Sequence, residues 1–255
     1  LELVTPTGDV MTCSPERNPD AFWATVGGAG LTGLILSARI QLHPVETAYC
    51  RVDYHRCENI DTVLAAIRET DRQYKYSVAW VDCLAKGKNL GRSVLMLGEH
   101  LPLKDLPPSI GGPYKVKRKL QPNVPIDFPS LMLNPLSIWA FNTLFYGLHP
   151  SVQGKIIDYN TYFYPLDAIH NWNRIYGPKG FLQYQCVLPL ATAEPALRDL
   201  LGRIAASGEG SFLAVLKRFG DKPSPGRLSF PRPGVTIALD FPFKGEVTLR
   251  LLDSL

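Results

Sequence analysis

Two glutamines and one lysine stand in otherwise apolar stretches of the 255-residue chain. Gln183 and Gln185 are two positions apart, and Lys217 alternates at the same spacing with Val215 and Phe219. Because successive side chains of a strand point to opposite faces, each set shares one face. Amides donate and accept hydrogen bonds and lysine adds positive charge, so these residues would suit a hydroxylated, anionic ligand such as a sugar phosphate. If the face is buried, we expect Lys217 within reach of Gln185; the alternative is a solvated surface.

The glycine-rich stretch 27–33 is the second candidate, with four glycines in seven residues. It matches the spacing G-x-G-x-x-G, which binds dinucleotides where it follows a strand and opens a helix. Here Asn18–Thr25 predicts a helix before the glycines, with Asn18 as its N-cap, and Leu34–Leu42 alternates like a strand after them. The stretch therefore indicates either a backbone that passes close to a flat or charged ligand, or a tight turn packed against another element.

The order of elements along the chain predicts an α+β fold. Strands are expected at 3–4, 10–12, 34–42, 48–55, 76–82, 93–97, 158–164, 181–188, 212–219 and 235–241. Helices are expected at 18–25, 59–72, 131–148, 166–176, 194–206 and 245–255. Since strands and helices do not alternate regularly, we expect an antiparallel sheet with helices on one face.

Residues 99–135 contain eight prolines and the basic run Lys115–Lys119, which includes Arg118. Prolines at that density exclude regular structure, and a loop of this length is usually functional or disordered. The apolar stretch Leu131–Leu148 follows. Polar residues and a proline interrupt it, so we expect a buried or interfacial helix rather than a membrane span.

Composition argues against several classes of function. A net charge of +4 is too weak to indicate nucleic acid as a partner. The five cysteines are odd in number and include no C-x-x-C, so they predict no disulfide framework, and the five histidines show no metal-binding spacing. We therefore expect no metal site, and the sequence has no hydrolase or P-loop motif.

Phe22–Gly33 resembles the end of the flavin domain in the vanillyl-alcohol-oxidase type of FAD oxidoreductases, where this turn lies against the flavin. The likeness extends over nearly the whole chain and includes Trp172–Pro178, Leu228–Pro231 and Asp240–Pro242. It implies a flavoprotein with FAD as the cofactor. The residues implied at the cofactor are Ala29, Gly30, Gly33 and Ile35.

The same resemblance implies a substrate pocket over the flavin. Its lining would be Trp80, Phe163, Leu166, Arg174, Gln183, Gln185, Val215, Lys217, Phe219, Thr236 and Ala238. Mycobacterial relatives carry asparagine and cysteine at the positions of Thr236 and Ala238, and a tyrosine at that of Phe163. We therefore expect the polarity of this pocket to differ from theirs.

Within the family, the chain resembles oxidases of a polyprenyl-phosphate ribose. The implied reaction oxidises the ribose 2-hydroxyl to a 2-keto sugar, the first half of an epimerisation that supplies arabinose for actinobacterial cell-wall arabinogalactan. An NADH-dependent keto-reductase subunit would be the partner, and the basic and apolar region would make peripheral contact with a membrane of the cell envelope. Two alternatives stay open: an oxidase of a soluble sugar alcohol or aldonolactone, and a non-catalytic module that binds prenyl phosphate.

The resemblance divides the chain into three parts. Residues 1–46 would be the C-terminal edge of the FAD-binding domain, residues 47–240 the substrate domain, and residues 241–255 the start of a segment that returns to the FAD domain. The family's phosphate-binding loops and flavin-facing histidine would precede Leu1, and its catalytic lysine would follow Leu255. We therefore expect no catalytic residue among these 255 residues and no retention of FAD by this chain alone.

Overall fold

A computed structural model of the protein describes residues 1–70, 73–117, 119–129 and 132–255. The chain falls into two compact units. The first unit contains residues 1–44 and 219–233, and the second contains residues 45–218 and 234–255. The first boundary follows Pro44, two residues before the end of the first part that the resemblance implies. The structure groups 219–233 with the N-terminal residues, a division that the order of motifs along the chain did not indicate.

Three short strands and one helix build the first unit. Its elements are β1 (Glu2–Val4), β2 (Val10–Thr12), α1 (Pro19–Thr25) and β3 (Leu34–Ser37), with the sheet order β2-β1-β3. The predicted hairpin and helix are confirmed. Asn18, however, does not cap α1 with its side chain, because its backbone is left-handed (φ 52°) and its amide donates to the Thr12 carbonyl at 2.9 Å. The predicted extent of β3 to Leu42 is wrong, because β1 offers only three residues for pairing.

The second unit is built on a seven-stranded sheet. Its strands are β4 (Tyr49–Cys57), β5 (Tyr76–Val81), β6 (Ser93–His100), β7 (Val152–Asp158), β8 (Phe181–Leu188), β9 (Ala214–Phe219) and β10 (Gly234–Pro242). Its helices are α2 (Ile60–Thr70), α3 (Pro135–Leu148), α4 (Tyr159–Phe163), α5 (Ala193–Ser207) and α6 (Glu246–Ser254). The strand order is β7-β4-β6-β5-β9-β10-β8. The pairs β7–β4, β4–β6, β6–β5, β5–β9 and β10–β8 are antiparallel, which confirms the expected α+β fold.

Helices α2 and α5 pack on one face of this sheet, which we call the covered face. Ile67 of α2 and Leu201 of α5 belong to one buried cluster with Leu97, Leu216 and Leu239 of the strands. These side chains have almost no contact with solvent. The apolar residues whose spacing predicts the helices are therefore the residues that pack in the core.

Two helix ends carry residue types that favour helix caps. Asn59 accepts a hydrogen bond from the Thr62 backbone N–H at 3.0 Å, as an N-cap does. Gly208 ends α5 with a left-handed backbone (φ 73°). The predicted end of α2 near Arg72 lies outside the described residues.

Two segments rich in aromatic and apolar residues differ from their predicted structure. Asp158–Tyr164, expected as a strand, is mostly α4, because the Asp158 carboxylate accepts from the Thr161 backbone N–H at 3.1 Å and caps a helix. The strand is β7, which ends where the prediction began. Leu166–Tyr176, expected as one helix, forms two separate 3-10 turns, because the left-handed backbone of Asn171 (φ 56°) interrupts it.

The proline-rich segment (residues 99–135) has little regular structure, as expected. After the end of β6, its described residues contain single 3-10 turns at Leu103–Asp105 and Pro108–Ile110. Arg118 of the basic run and Leu131 of the apolar stretch lie outside the described residues.

Helix α3 occupies the predicted apolar stretch. Asn134 caps it, accepting hydrogen bonds from the backbone N–H groups of Leu136 and Ser137 at 3.0 Å. Ile138 and Asn142 are buried, while most of the other side chains are exposed or half-exposed. Among the described residues, no helix combines the length and the apolar character that crossing a membrane requires.

The cysteines are unpaired thiols. Cys13, Cys50, Cys57 and Cys83 are buried and Cys186 is half-buried. Burial raises the pKa of the Cys83 thiol to about 12, so this group is structural rather than nucleophilic. In the part of the chain that the structure describes, no three histidine, cysteine or acidic side chains converge as metal ligands would.

Candidate functional site

The second face of the seven-stranded sheet carries most of the predicted pocket residues. Trp80 pairs with Val215, while their neighbours Ala79 and Leu216 pair on the covered face. Because side chains alternate along every strand, the residues between the covered positions of β8, β9 and β10 point to the other side. These residues define the open face: Gln183, Gln185, Val215, Lys217, Thr236, Ala238 and Asp240.

Gln183 lies directly opposite Asp240 in the β8–β10 register. Its Nε2 donates a hydrogen bond to Asp240 Oδ1 at 2.8 Å. Asp240 is only 2% exposed, and this burial raises the pKa of its carboxyl, although the hydrogen bond from Gln183 opposes the shift. A buried carboxyl therefore contacts the exposed amide that the resemblance assigns to substrate.

Gln185 reaches past its direct neighbour to a different partner. In the register it faces Ala238, whose methyl group offers no hydrogen-bond partner. Its Nε2 donates to Thr236 Oγ1 at 3.2 Å, and Thr236 Oγ1 donates to the Cys186 carbonyl at 2.8 Å. Thr236 therefore links the Gln185 side chain to the backbone of β8.

Trp80 lies at the border of the open face, on β5. Its indole N–H donates to the Phe212 carbonyl at 3.0 Å, and Phe145 of α3 packs against it with ring centroids 4.5 Å apart. The side chain is almost completely buried. An indole whose N–H is already bonded contributes shape and apolar surface to a site rather than a hydrogen bond.

Lys217 is exposed, which corresponds to the solvated alternative rather than to a buried face. Val215, two residues before it, is half-buried on the same face. Phe219, two residues after it, belongs to the first unit and lies there with its ring centroid 6.1 Å from that of Phe230. An exposed lysine needs no partner for stability, and its predicted contact with an anionic substrate therefore cannot rest on a burial cost.

Arg174 contacts the proline-rich segment. Its Nη1 donates to the carbonyls of Val124 and Pro125 at 3.2 and 2.7 Å, and its own carbonyl accepts from the Phe128 backbone N–H at 2.9 Å. Leu166 is half-buried in the first of the two nearby 3-10 turns. Part of the guanidinium that the resemblance assigns to substrate is thus engaged in holding a loop.

Phe163 lies in α4, which covers another part of the second face of the seven-stranded sheet. Its ring meets that of Tyr76 edge-on, with centroids 4.9 Å apart, and it packs near the buried Tyr162. Gly98 makes this packing possible, because a Cβ there would lie 2.4 Å from the Tyr162 ring. The open face is therefore confined to β9, β10 and β8.

Packing within the first unit explains two glycines of the predicted turn. A Cβ at Gly28 would lie 2.1 Å from the Ala24 carbonyl oxygen, and one at Gly33 would lie 2.1 Å from that of Val4. Side chains are therefore excluded at both positions by the protein's own backbone. For these two residues, the tight-turn interpretation is sufficient.

Ala29 and Gly30 form the exposed tip of the same turn. Both have left-handed backbones (φ 53° and 76°), and no atom lies within 4 Å of the place where a Gly30 Cβ would stand. Ile35 follows on the edge strand β3 and is 47% exposed. A bare backbone tip with an exposed apolar side chain close to it in sequence fits contact with a flat ring system such as a flavin.

Asp240 is the site residue that sequence reasoning missed. Its alternation with Thr236 and Ala238 could have placed it on their face, but its partner Gln183 depends on the register between β10 and β8.

The comparisons with known proteins agree with this description. No family model matches the chain. The decaprenylphosphoryl-β-D-ribose oxidase of Mycolicibacterium smegmatis is 37% identical over 250 residues, which cover 96% of this chain and 53% of that protein. An uncharacterized protein in the mprA 5′ region of Streptomyces coelicolor is 31% identical over 267 residues, which cover all of this chain and 70% of that protein. The chain thus spans about half the length of the first relative.

A solved structure extends the likeness to the fold. The xylooligosaccharide oxidase from Myceliophthora thermophila C1, in complex with xylobiose, matches 99% of this chain and 52% of that chain, with a TM-score of 0.57 and 15% identity. The fold is therefore that of the flavin-linked oxidases. By sequence, the chain belongs to one family with these two relatives, one of which is a decaprenylphosphoryl-β-D-ribose oxidase.

Proposed function

We propose that the protein is an FAD-dependent oxidase that converts the ribose 2-hydroxyl of a polyprenyl-phosphate ribose to a ketone. The observation that carries the proposal is the open face, on which Gln183, Gln185 and Lys217 are all exposed. A sugar would supply hydroxyls for the two amides, and a phosphate would supply the anion for the lysine. The name of the Mycolicibacterium relative, a decaprenylphosphoryl-β-D-ribose oxidase, supports this choice of substrate.

Residues of this chain would bind and orient the substrate. FAD, when bound, supplies the acceptor for the hydride that leaves the oxidised carbon. Gln183, Gln185 and Lys217 would hold the sugar and phosphate in one orientation, which is the protein's main contribution when a cofactor carries the redox step. The residues that would lie against the flavin are Ala29, Gly30 and Ile35, whereas Gly33, which the resemblance also implies there, is explained by the tight turn.

A keto sugar must receive a hydride to become the epimeric alcohol. We therefore propose an NADH-dependent keto-reductase as the partner in an epimerisation. Its product would be an arabinose donor for cell-wall arabinogalactan.

We also propose peripheral contact with a membrane of the cell envelope, through α3 and the basic run. The exposed apolar residues of α3 are Leu136, Trp139, Phe141, Leu144 and Leu148. Lys115 and Lys117 are exposed as well, and a basic residue near an anionic lipid surface contributes about 1 kcal/mol to binding.

We expect Lys115→Ser with Lys117→Ser, and separately Trp139→Ser, to reduce co-sedimentation with anionic vesicles. Lys222→Ser with Arg232→Ser is the charge-matched control, and equal loss in both pairs would contradict a local contact.

Flavin absorbance of the full-length protein tests the proposed reaction. We expect a prenylphosphoryl-β-D-ribofuranose to bleach the oxidised flavin without oxygen and to yield the 2-keto sugar. Ribitol and an aldonolactone are expected to react much more slowly. Bleaching by the soluble compounds alone would favour an oxidase of sugar alcohols or aldonolactones. A full-length protein without flavin would favour a prenyl-phosphate-binding module.

A further inference from the structure

The orientation of the Gln183 amide is fixed by its partner. An amide side chain has two chemically different ends, an NH2 group that donates and an oxygen that accepts. Asp240 lies directly across from Gln183, and its Oδ1 is the acceptor of the hydrogen bond between them. The 2.8 Å contact therefore takes the NH2 end of Gln183 toward β10, and its Oε1 is directed away from Asp240.

Gln185 is oriented by a second, independent contact. Thr236 has one hydroxyl hydrogen, and it is donated to the Cys186 carbonyl at 2.8 Å. Toward Gln185 the Thr236 oxygen can therefore only accept, and it accepts from Nε2 at 3.2 Å. A reversed Gln185 amide would bring two acceptor oxygens together.

We propose that Asp240 and Thr236 are positioning residues, which hold the amides of Gln183 and Gln185 so that both carbonyl oxygens are available to a ligand on the open face. This inference rests on the proposed function, in which that face binds a sugar. The two glutamines are roughly 7 Å apart along the strand, since a strand rises about 3.4 Å per residue. The ligand that matches them presents two hydroxyl groups as hydrogen-bond donors.

The arrangement also specifies which ligands bind poorly. A group that can only accept, such as a carboxylate or a ketone, cannot pair with either amide oxygen and is left with the second N–H of each amide. A ligand in which one matching hydroxyl is replaced by hydrogen leaves an amide oxygen unpaired. Selectivity for a polyol over its deoxy or acidic analogues would thus depend on Asp240 and Thr236 as well as on the two glutamines.

The orientation is tested without reference to catalysis, by NMR of the protein labelled with ¹⁵N-glutamine. Signals of Gln183 and Gln185 are assigned from Gln183→Glu and Gln185→Glu. We expect one slowly exchanging side-chain N–H for each glutamine. Asp240→Leu should abolish the protection of Gln183 alone, and Thr236→Val should abolish that of Gln185 alone. Asp240→Asn and Thr236→Ser, which keep an acceptor oxygen, should retain it. Glutamine amides that exchange freely in the unaltered protein would overturn the proposal.

Kinetics of the full-length enzyme give the second arm. We expect Thr236→Val, which keeps the shape of threonine, to lower kcat/KM for the prenylphosphoryl ribose about tenfold through KM, with flavin content preserved. Thr236→Ser should recover most of that loss. If Thr236→Val has unaltered kcat/KM, the positioning role fails while the proposed reaction stands. If the NMR pattern holds and the prenylphosphoryl ribose is not oxidised, the proposed reaction fails while the orientation of the amides stands.

Discussion

The covered and open faces of the seven-stranded sheet differ in what a side chain contributes. On the covered face, Leu216 and Leu239 are completely buried in an apolar cluster, so their volume determines their effect. On the open face, Lys217 is exposed and Asp240 is buried against an amide, so their polar atoms determine it. The same strands supply both sets at alternating positions. Adjacent residues of one strand should therefore separate stability from ligand recognition.

The largest expected effect is on stability. Leu216→Ala removes a completely buried side chain, and we expect it to lower the free energy of unfolding by about 2–5 kcal/mol. Val215→Ala, one residue away on the open face, removes a half-buried side chain and should cost about 1 kcal/mol. Urea unfolding followed by circular dichroism measures both. Equal losses would show that the two faces are not distinct in packing.

The second effect is on recognition. Lys217→Met keeps the aliphatic stem and removes the charge, so we expect substrate affinity in the full-length enzyme to fall by about 1–3 kcal/mol, the range for a charged hydrogen bond. The free energy of unfolding should change by less than about 0.5 kcal/mol, because Lys217 is exposed. Lys222→Met, also exposed, is the control for loss of charge. Unaltered kinetics would show that Lys217 is an ordinary surface residue and does not bind the substrate.

Local sequence patterns predicted most of the sheet but failed where tertiary contacts decide. The strand at 181–188 and the helix at 194–206 were predictable because their periodicity reports their own buried face. Asp158–Tyr164 looked like a strand because it is rich in aromatic residues, yet the Asp158 cap and the packing of Tyr162 make it a helix. The neighbouring β7 escaped prediction because most of its side chains are exposed and show no alternation.

The same limit applies to the candidate site. Spacing alone placed Gln183 and Gln185 on one face, since alternation is local. Their partners Asp240 and Thr236 lie more than fifty residues later, and only the register between two strands brings them together. The environment of Lys217 also depends on what covers the sheet, so alternation alone could not decide between a buried and a solvated face.

The smallest expected effect concerns the contact between the proline-rich segment and α4. Lys119 Nζ donates to Asp158 Oδ2 at 2.7 Å, and the Thr161 hydroxyl donates to the same oxygen at 2.8 Å. Burial alone would raise the pKa of Asp158, but the hydrogen bonds from Lys119 and Thr161 outweigh it and hold the pKa below its usual 3.8. The folded protein therefore binds this proton less readily than the unfolded chain does.

The pH dependence follows from that direction. The stabilisation from the Lys119–Asp158 pair is fully present above the unfolded pKa and is lost as the pH falls through the lowered folded pKa. Because Lys119 is more than half exposed, we expect Lys119→Met to cost no more than about 1 kcal/mol at pH 7 and less near pH 3. Lys117→Met is the matched control. Urea unfolding at both pH values measures the difference, and a Lys119→Met loss that stays constant down to pH 3 would show that the stem of Lys119, rather than its charge, holds the segment.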